Sequence, residues 1–281
     1  MKKLFLFFLM MICAASMFSQ TKMAACCMPV AATEQFAKFA SDKKFLMSHD
    51  APLPFTYHSA NGADITFKTV DGTDAHGWLV KAQKPTNYYL FVIHEYWGMN
   101  DYIKQETEKL ANELGINAIA IDLYDNKVAT TPDEAGKLMQ SVKTERAVNI
   151  IKGAYAYAGA NAKVFTIGWC FGGGWSLQTA LLGGKQAVGC VMFYGMPEQD
   201  VNKLKTLNCD VIGFFAEKDG WITPKVVDQF KENMKAAGKN ATTYEYDAVH
   251  AFANPSNPKY NKEATEDAYS KAIPFIKERM K

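Results

Sequence analysis

The stretch "AKVFTIGWCFGGGWSLQTALLG", residues 162–183, allows few folds. An apolar strand pattern runs without a spacer into a glycine-rich turn, and the turn runs directly into a helix pattern. Gly168, Gly172 and Gly173 flank Cys170 in the order G-x-C-x-G-G. This is the nucleophile-elbow pattern, with cysteine where serine usually stands. The chemistry explains the glycines. A nucleophile at such a turn takes a strained backbone conformation, so that its side chain stands clear of the sheet. Residues two positions away must then lack a Cβ, because strand and helix approach so closely. The helix N-terminus beneath Cys170 favours a thiolate and a developing oxyanion. A buried cysteine in a tight turn is the competing reading, and the motif alone does not decide between them.

The rest of the chain repeats the same alternation. "ADITFKTVDGTDAHGWLVKA" reads as a β-hairpin turning at "DG". "NYYLFVIHE", "INAIAIDLY", "AKVFTIGW", "QAVGCVMFYG", "CDVIGFFAEKD" and "ATTYEYDAVH" read as strands. Helix patterns lie between and after them: "NDYIKQETEKLANELG", "TPDEAGKLMQ", "TERAVNIIKGAYAYAG", "GGGWSLQTALLG", "TPKVVDQFKENMKAAG" and "NKEATEDAYSKAIPFIKERMK". Asn100 or Asp101 caps the first of these and Gly115 ends it. Thr223-Pro224 is a cap followed by a proline in the first turn, and Pro274 is placed to kink the last helix. Such alternation predicts an α/β class: a mostly parallel central sheet with helices on both faces. No repeat, low-complexity tract or linker falls between residues 62 and 281, so this span reads as one domain.

In this layout an acid and then a histidine follow the nucleophile in chain order. "FFAEKDGWITP" offers Asp219 just past one strand, and "YDAVHAF" offers His250 just past the next. Both fall at the C-terminal edge of the sheet, where open α/β folds bind ligands. His250 can take or hold the Cys170 proton, and Asp219 can orient the imidazole. Capping by Asp219 and a surface position for His250 are the structural alternatives. "FVIHEYWGMND" puts Glu95 at the end of an earlier strand, whose following loop supplies an oxyanion-hole N–H in hydrolases of this layout. A carboxylate there would repel a thiolate, unless it moves or takes the thiol proton itself.

The N-terminus differs. Lys2 and Lys3 precede the apolar run "LFLFFLMMICAASMF". That is the length of a signal-peptide core and short of the ~20 residues of a membrane span. Residues 1–19 are expected to be a signal peptide, cleaved near Ser19–Gln20. The product would be exported, periplasmic or secreted, with no membrane span left. A retained anchor, or lipidation at Cys26 in "MAAC", is the alternative. Residues 20–61 form an extension: "PVAATEQFAKFASD" suits one short helix and "SHDAPLPF" a loop. Removing the signal leaves Cys26, Cys27, Cys170, Cys190 and Cys209, an odd number, so at least one thiol is free or pairs outside the chain. Cys190 and Cys209 read as buried strand residues. A net charge of +2 without a basic stripe excludes a nucleic-acid footprint. The five histidines show no zinc-ligand spacing, so no metal is expected. Neither a dinucleotide fingerprint nor a P-loop is present, and no cofactor is called for.

Taken with "HEYWGMND", "AIDLY", "IGWCFGGG", "FYG", "AEKDGWITP" and "VHAFANP", residues 62–281 resemble the dienelactone hydrolase family. The resemblance implies an α/β-hydrolase fold, a Cys170–His250–Asp219 triad, and an oxyanion hole from the backbone N–H groups of Tyr96 and Phe171. It further implies that Glu95 holds a neutral resting thiol, then accepts its proton and swings away. The implied reaction is acylation of Cys170 by a small ester or lactone, followed by hydrolysis of the thioester. One feature departs from the family. Enzymes of the family that cleave the dienelactone grip its carboxylate with arginines, one in a His-Ser-Phe-Ala-Arg stretch. Here that stretch reads His250-Ala251-Phe252-Ala253-Asn254, and the only arginines are Arg146 and Arg279. A lysine does not replace the bidentate fork, so the dienelactone itself is not the expected substrate. Trp97, Trp169, Trp221 and Phe252, with Tyr96, could line an apolar substrate pocket. A different class of function would use an exposed Cys170 for thiol exchange or binding, although no C-x-x-C motif is present.

Overall fold

Among the described residues eight strands, β1 (Gly62–Lys68), β2 (Asp74–Val80), β3 (Tyr88–Ile93), β4 (Asn117–Ile121), β5 (Lys163–Trp169), β6 (Ala187–Phe193), β7 (Val211–Ala216) and β8 (Ala241–Tyr246), join into one sheet in the order β1-β2-β4-β3-β5-β6-β7-β8. The structure is a computed structural model and describes residues 32–280. The expected signal peptide and the Cys26–Cys27 pair lie outside the described residues. The predicted hairpin is present: β1 pairs antiparallel with β2. β2 pairs antiparallel with β4, and all remaining pairs are parallel. The central strands are buried along nearly their whole length, which is why they read as unbroken apolar runs rather than alternating ones.

The helices also follow their sequence signals. α3 (Asp101–Leu114) is capped by the Asn100 side chain, which accepts from Ile103 N–H, and it ends on Gly115 in the left-handed region. α4 (Pro132–Ser141) opens with a capping box between Thr131 and Glu134. α5 (Thr144–Ala158), α6 (Phe171–Gly183), the short α7 (Val201–Leu204), α8 (Pro224–Ala236) and α9 (Lys262–Glu278) complete the core. α9 runs on through Pro274. No helix among the described residues is long and apolar enough to cross a membrane.

Two local features differ from the sequence reading. The stretch "PVAATEQFAKFASD" holds the expected short helix, α1 (Ala32–Lys38), but a 3-10 turn then leads into a second, unexpected helix, α2 (Lys43–Ser48). Asp42 breaks the run because its side chain accepts from Lys44 N–H and so caps a new helix. Cys209 is not a strand residue; it lies two residues before β7 and is partly exposed, whereas Cys190 is buried in β6 as expected.

Strand register sets up the site. Ile93 of β3 pairs with Gly168 of β5, so Glu95 and Cys170, each two residues further on, emerge at the same sheet edge. Asp219 follows β7 by three residues and His250 follows β8 by four, at that edge too.

Candidate active site

Cys170 has φ 55° and ψ −120°, a conformation L-residues rarely adopt. The surrounding packing holds it there. A Cβ on Gly168 would fall 2.1 Å from the Gly172 carbonyl oxygen, and one on Gly172 would fall 2.2 Å from that of Ile93. α6 starts at once, with Gly173 N–H donating to the Cys170 carbonyl. The turn aims Sγ at His250, whose Nε2 lies 3.2 Å away. On the far side of the ring, His250 Nδ1 lies 2.6 Å from Asp219 Oδ2. Asp219 Oδ1 accepts from the N–H groups of Trp221 and Ile222, which fix the carboxylate. The three residues singled out in the sequence therefore form one chain of contacts.

The charges are consistent with proton transfer along that chain. Burial works against the Asp219 carboxylate, but His250 and the two N–H donors outweigh it and hold the group below the usual range. Burial also works against a charged His250. Asp219, then Cys170, overcome it and raise the imidazole's proton affinity well above its ordinary value. Burial pushes the Cys170 thiol up; His250 pulls against it, the Glu95 carboxylate adds to the rise, and the Phe171 N–H, bonded to the sulfur, opposes it. Glu95 is pushed up to about 7, mainly by burial, with His250 and a hydrogen bond from Asn254 opposing. Asn254 Oδ1 accepts from Ser256 N–H and Oγ–H. That fixes the amide so that its nitrogen serves Glu95. The position at which the resemblance implies an arginine thus holds Asn254, a partner for Glu95, instead. Both arginines are engaged elsewhere, Arg146 with Asp125 and Arg279 with Asp210.

Sequence reading missed the contribution of the N-terminal arm. His49, at the end of α2, places Nε2 3.8 Å from Cys170 Sγ. Its ring lies 4.3 Å from that of Tyr96 and 5.6 Å from that of His250. Its Nδ1 faces the Phe45 carbonyl at 2.8 Å. Burial first, then His250, lower its pKa to about 3, so this imidazole is neutral. Phe45 packs against His49, Trp221 and Tyr96, and Phe36 against Phe45 and His250. Cys170 is consequently 0% exposed, which corrects the picture of an exposed thiol. The available signal was a histidine and two phenylalanines in a segment without helical periodicity.

The expected aromatic lining divides. Trp169 lines a cavity of about 490 Å³ that also reaches Glu95 and Asn254 and continues to Tyr57, Tyr102 and Tyr269. Trp221 is half-buried against His250. Trp97 and Phe252 are core residues rather than lining ones, packed on Tyr96 and on Tyr194 and Tyr246 respectively. Tyr96 is buried, and its ring faces the arm. Among the described residues, His49, Cys170 and His250 are a set whose side-chain types and spacing suit a metal ion.

A mostly parallel sheet flanked by helices, with a strained cysteine between β5 and α6, defines an α/β-hydrolase fold. A Pyrococcus furiosus esterase superposes with a TM-score of 0.60 at 14% identity, covering 83% of this chain and 100% of its own. A dienelactone hydrolase-like promiscuous phosphotriesterase from metagenomic libraries superposes at 0.67 and 19%, covering 78% and 99%. The sequence profile of the dienelactone hydrolase family matches residues 76–280, and the chain belongs to that family. It is a hydrolase. Its relatives include protein usf of Aquifex pyrophilus, 30% identical over 67% of this chain and 87% of its own length. Carboxymethylenebutenolidase 1 of Cupriavidus pinatubonensis is 23% identical over 77% and 96%. The arm that carries His49 lies outside the matched span.

Proposed function

We propose that this chain is an exported hydrolase that cleaves a small carboxylic ester or lactone through an acyl-Cys170 intermediate. The observation that carries the reading is the run Cys170 Sγ–His250 Nε2–Asp219, at 3.2 and 2.6 Å. In this reading the Cys170 proton passes to His250, with Glu95 as the alternative acceptor, and the sulfur adds to the substrate carbonyl. The N–H groups of Tyr96 and Phe171 receive the oxyanion. The C–O bond breaks, and the proton held by His250 goes to the leaving oxygen. Water then gives a proton to His250 and adds to the thioester, releasing the acid and restoring the thiol.

The relatives' names support an ester or lactone as substrate class. With Asn254 on Glu95 and both arginines in distant ion pairs, no bidentate grip for a substrate carboxylate stands beside the thiol. The reading therefore takes a neutral substrate. Export rests on residues 1–19, and amino-terminal sequencing of the secreted fraction tests it; a mature chain beginning at Met1 would overturn it. The chemical step is tested by p-nitrophenyl acetate hydrolysis under reducing conditions, using the chain from residue 20, wild type beside Cys170→Ala. Turnover by wild type and background rates in the variant support the acyl-enzyme. Equal rates would overturn it.

A further inference from the structure

We propose that His49, Cys170 and His250 form a binding site for a thiophilic divalent cation, zinc, with the arm supplying the third ligand. The three ligand atoms all lie within 4.8 Å of one another, and all three residues are buried. One thiolate and two imidazoles are a soft-to-borderline donor set that zinc prefers over magnesium or calcium. Zinc bonds of about 2.3 Å to sulfur and about 2.0–2.1 Å to nitrogen imply tetrahedral edges of roughly 3.6 Å (S to N) and 3.3 Å (N to N). The observed Sγ–Nε2 separations, 3.2 Å to His250 and 3.8 Å to His49, bracket the first of these. The two imidazole nitrogens lie within 4.8 Å of each other, so bringing them to the second needs a shift of at most about 1.5 Å.

The atoms behind the ligands make the stronger argument. A zinc-bound histidine usually donates its other ring N–H to a carboxylate or a backbone carbonyl, which fixes both tautomer and aim. Both partners are present. His250 Nδ1 faces the Asp219 carboxylate at 2.6 Å, and His49 Nδ1 faces the Phe45 carbonyl at 2.8 Å. A carbonyl can only accept, so His49 carries its proton on Nδ1. Its Nε2 lone pair therefore points toward the sulfur. The catalytic reading accounts for the His250–Asp219 pair but leaves His49 and its Phe45 partner unused: a Cys-His-Asp triad needs one imidazole on the thiol, not two. The ligands are 121 and 80 residues from Cys170, which is why no linear zinc motif is visible. Three protein ligands leave a fourth position open.

Binding replaces the S–H bond with an S–Zn bond, and any N–H on His250 Nε2 with an N–Zn bond; each displaced proton goes to solvent, and nothing is oxidised or reduced. The bound ion ties up both the sulfur and the His250 lone pair. Ester hydrolysis therefore stops while zinc is bound and returns on chelation. That consequence rests on the proposed triad; the binding does not.

Binding is read directly. The full chain carries Cys26→Ser and Cys27→Ser, so that those thiols cannot contribute, and is kept reduced. Zinc affinity is measured by competition with a chromophoric chelator, and Co2+ serves as a spectroscopic probe. The expected result is one equivalent of zinc, and a cobalt complex showing a thiolate charge-transfer band with the intense visible bands of a four-coordinate centre. Cys170→Ala should abolish the charge-transfer band. His49→Ala should weaken zinc binding at least tenfold, since loss of a supporting outer partner alone costs about 10–100-fold. His49→Phe keeps a ring against Phe45 and Tyr96 and should behave like His49→Ala. Absence of stoichiometric binding, unchanged affinity in both His49 variants, or a charge-transfer band that survives Cys170→Ala would each overturn the site. Retained affinity in His49→Phe alone would assign His49 to packing and overturn its place as a ligand. Zinc binding alongside full esterase activity in Cys170→Ala would uphold the site and remove the triad. No binding alongside an inactive Cys170→Ala would do the reverse.

Discussion

His49 Nε2 approaches Cys170 Sγ to 3.8 Å, and the helix that carries it is held down by Phe45. The Phe45 ring packs at 5.1 Å on Trp221 and at 5.7 Å on Tyr96, both edge-on. Burying one such phenylalanine stabilises the docked arm by about 2–3 kcal/mol. Removing it leaves the sheet untouched, because β1 begins only at Gly62. Phe45→Ala should therefore undock the arm and let solvent reach the thiol. The expected outcome is a tenfold or larger rise in the rate at which a disulfide reagent modifies Cys170, with an unchanged far-ultraviolet circular dichroism spectrum. A Cys170→Ala control subtracts the other thiols. The same rate in both proteins would mean that the arm does not limit access.

Asp219 touches the chemistry only through His250, and this predicts how its loss should read out. Asp219→Asn keeps the shape but removes the charge that raises the imidazole's proton affinity. The amide also presents a donor where Nδ1–H needs an acceptor, and so favours the wrong tautomer. By analogy with other triads, turnover should fall by roughly 10⁴-fold. The loss should lie in kcat rather than KM, since no substrate contact is removed. A KM effect with normal kcat would place Asp219 in binding.

Glu95 links the site to stability. Its folded pKa of about 7 exceeds its ordinary value of 4.5, mainly because burial disfavours the carboxylate. The folded chain thus holds this proton more tightly than the unfolded chain does. The resulting stabilisation is complete below pH 4.5 and is lost as pH rises through 7, to a limit of about 3 kcal/mol. Glu95→Gln removes the titration. Chemical denaturation between pH 5 and 8.5 should give a flatter stability profile for the variant, with the gap in its favour widening toward high pH. Parallel profiles would place the titration elsewhere. If Glu95 also accepts the thiol proton, the same variant loses esterase turnover.

The sheet and the nucleophile were legible because each rests on local signals. An apolar run of strand length, a Thr131-x-x-Glu134 box and a Gly-x-Cys-x-Gly-Gly turn mean the same thing almost wherever they occur. Asp219 and His250 could be placed because parallel strands deliver their following loops to one edge. The arm was not legible. Phe36, Phe45 and His49 bury themselves on loops from four distant parts of the chain, so no period of 2 or 3.6 marks them. The pocket aromatics failed for a related reason. Trp97 and Trp169 look alike in sequence, but Trp97 sits in the turn after β3 and packs on Tyr96, whereas Trp169 ends β5 and reaches the cavity.

The elbow itself gives the most restrictive prediction. A Cβ on Gly172 would lie 2.2 Å from the Ile93 carbonyl oxygen and 2.4 Å from that of His94. Both obstacles are backbone at the end of β3, so no side chain can swing aside. Relief requires α6 to lift or β3 to move, and β3 leads directly into Glu95 and Tyr96. Gly172→Ala should cost about 1–3 kcal/mol, the usual range for overpacking. It should also depress esterase turnover by more than that lost stability explains, because Cys170 and the Glu95–Tyr96 segment move apart. Gly220 is the matched control. It lies beside Asp219 in the sequence, yet a Cβ there meets nothing within 4 Å. Gly220→Ala should shift stability by no more than about 0.5 kcal/mol. Urea midpoints and p-nitrophenyl acetate rates, measured on both variants, check the contrast. If Gly172→Ala retains wild-type turnover, the close approach of α6 to β3 is not what positions the nucleophile.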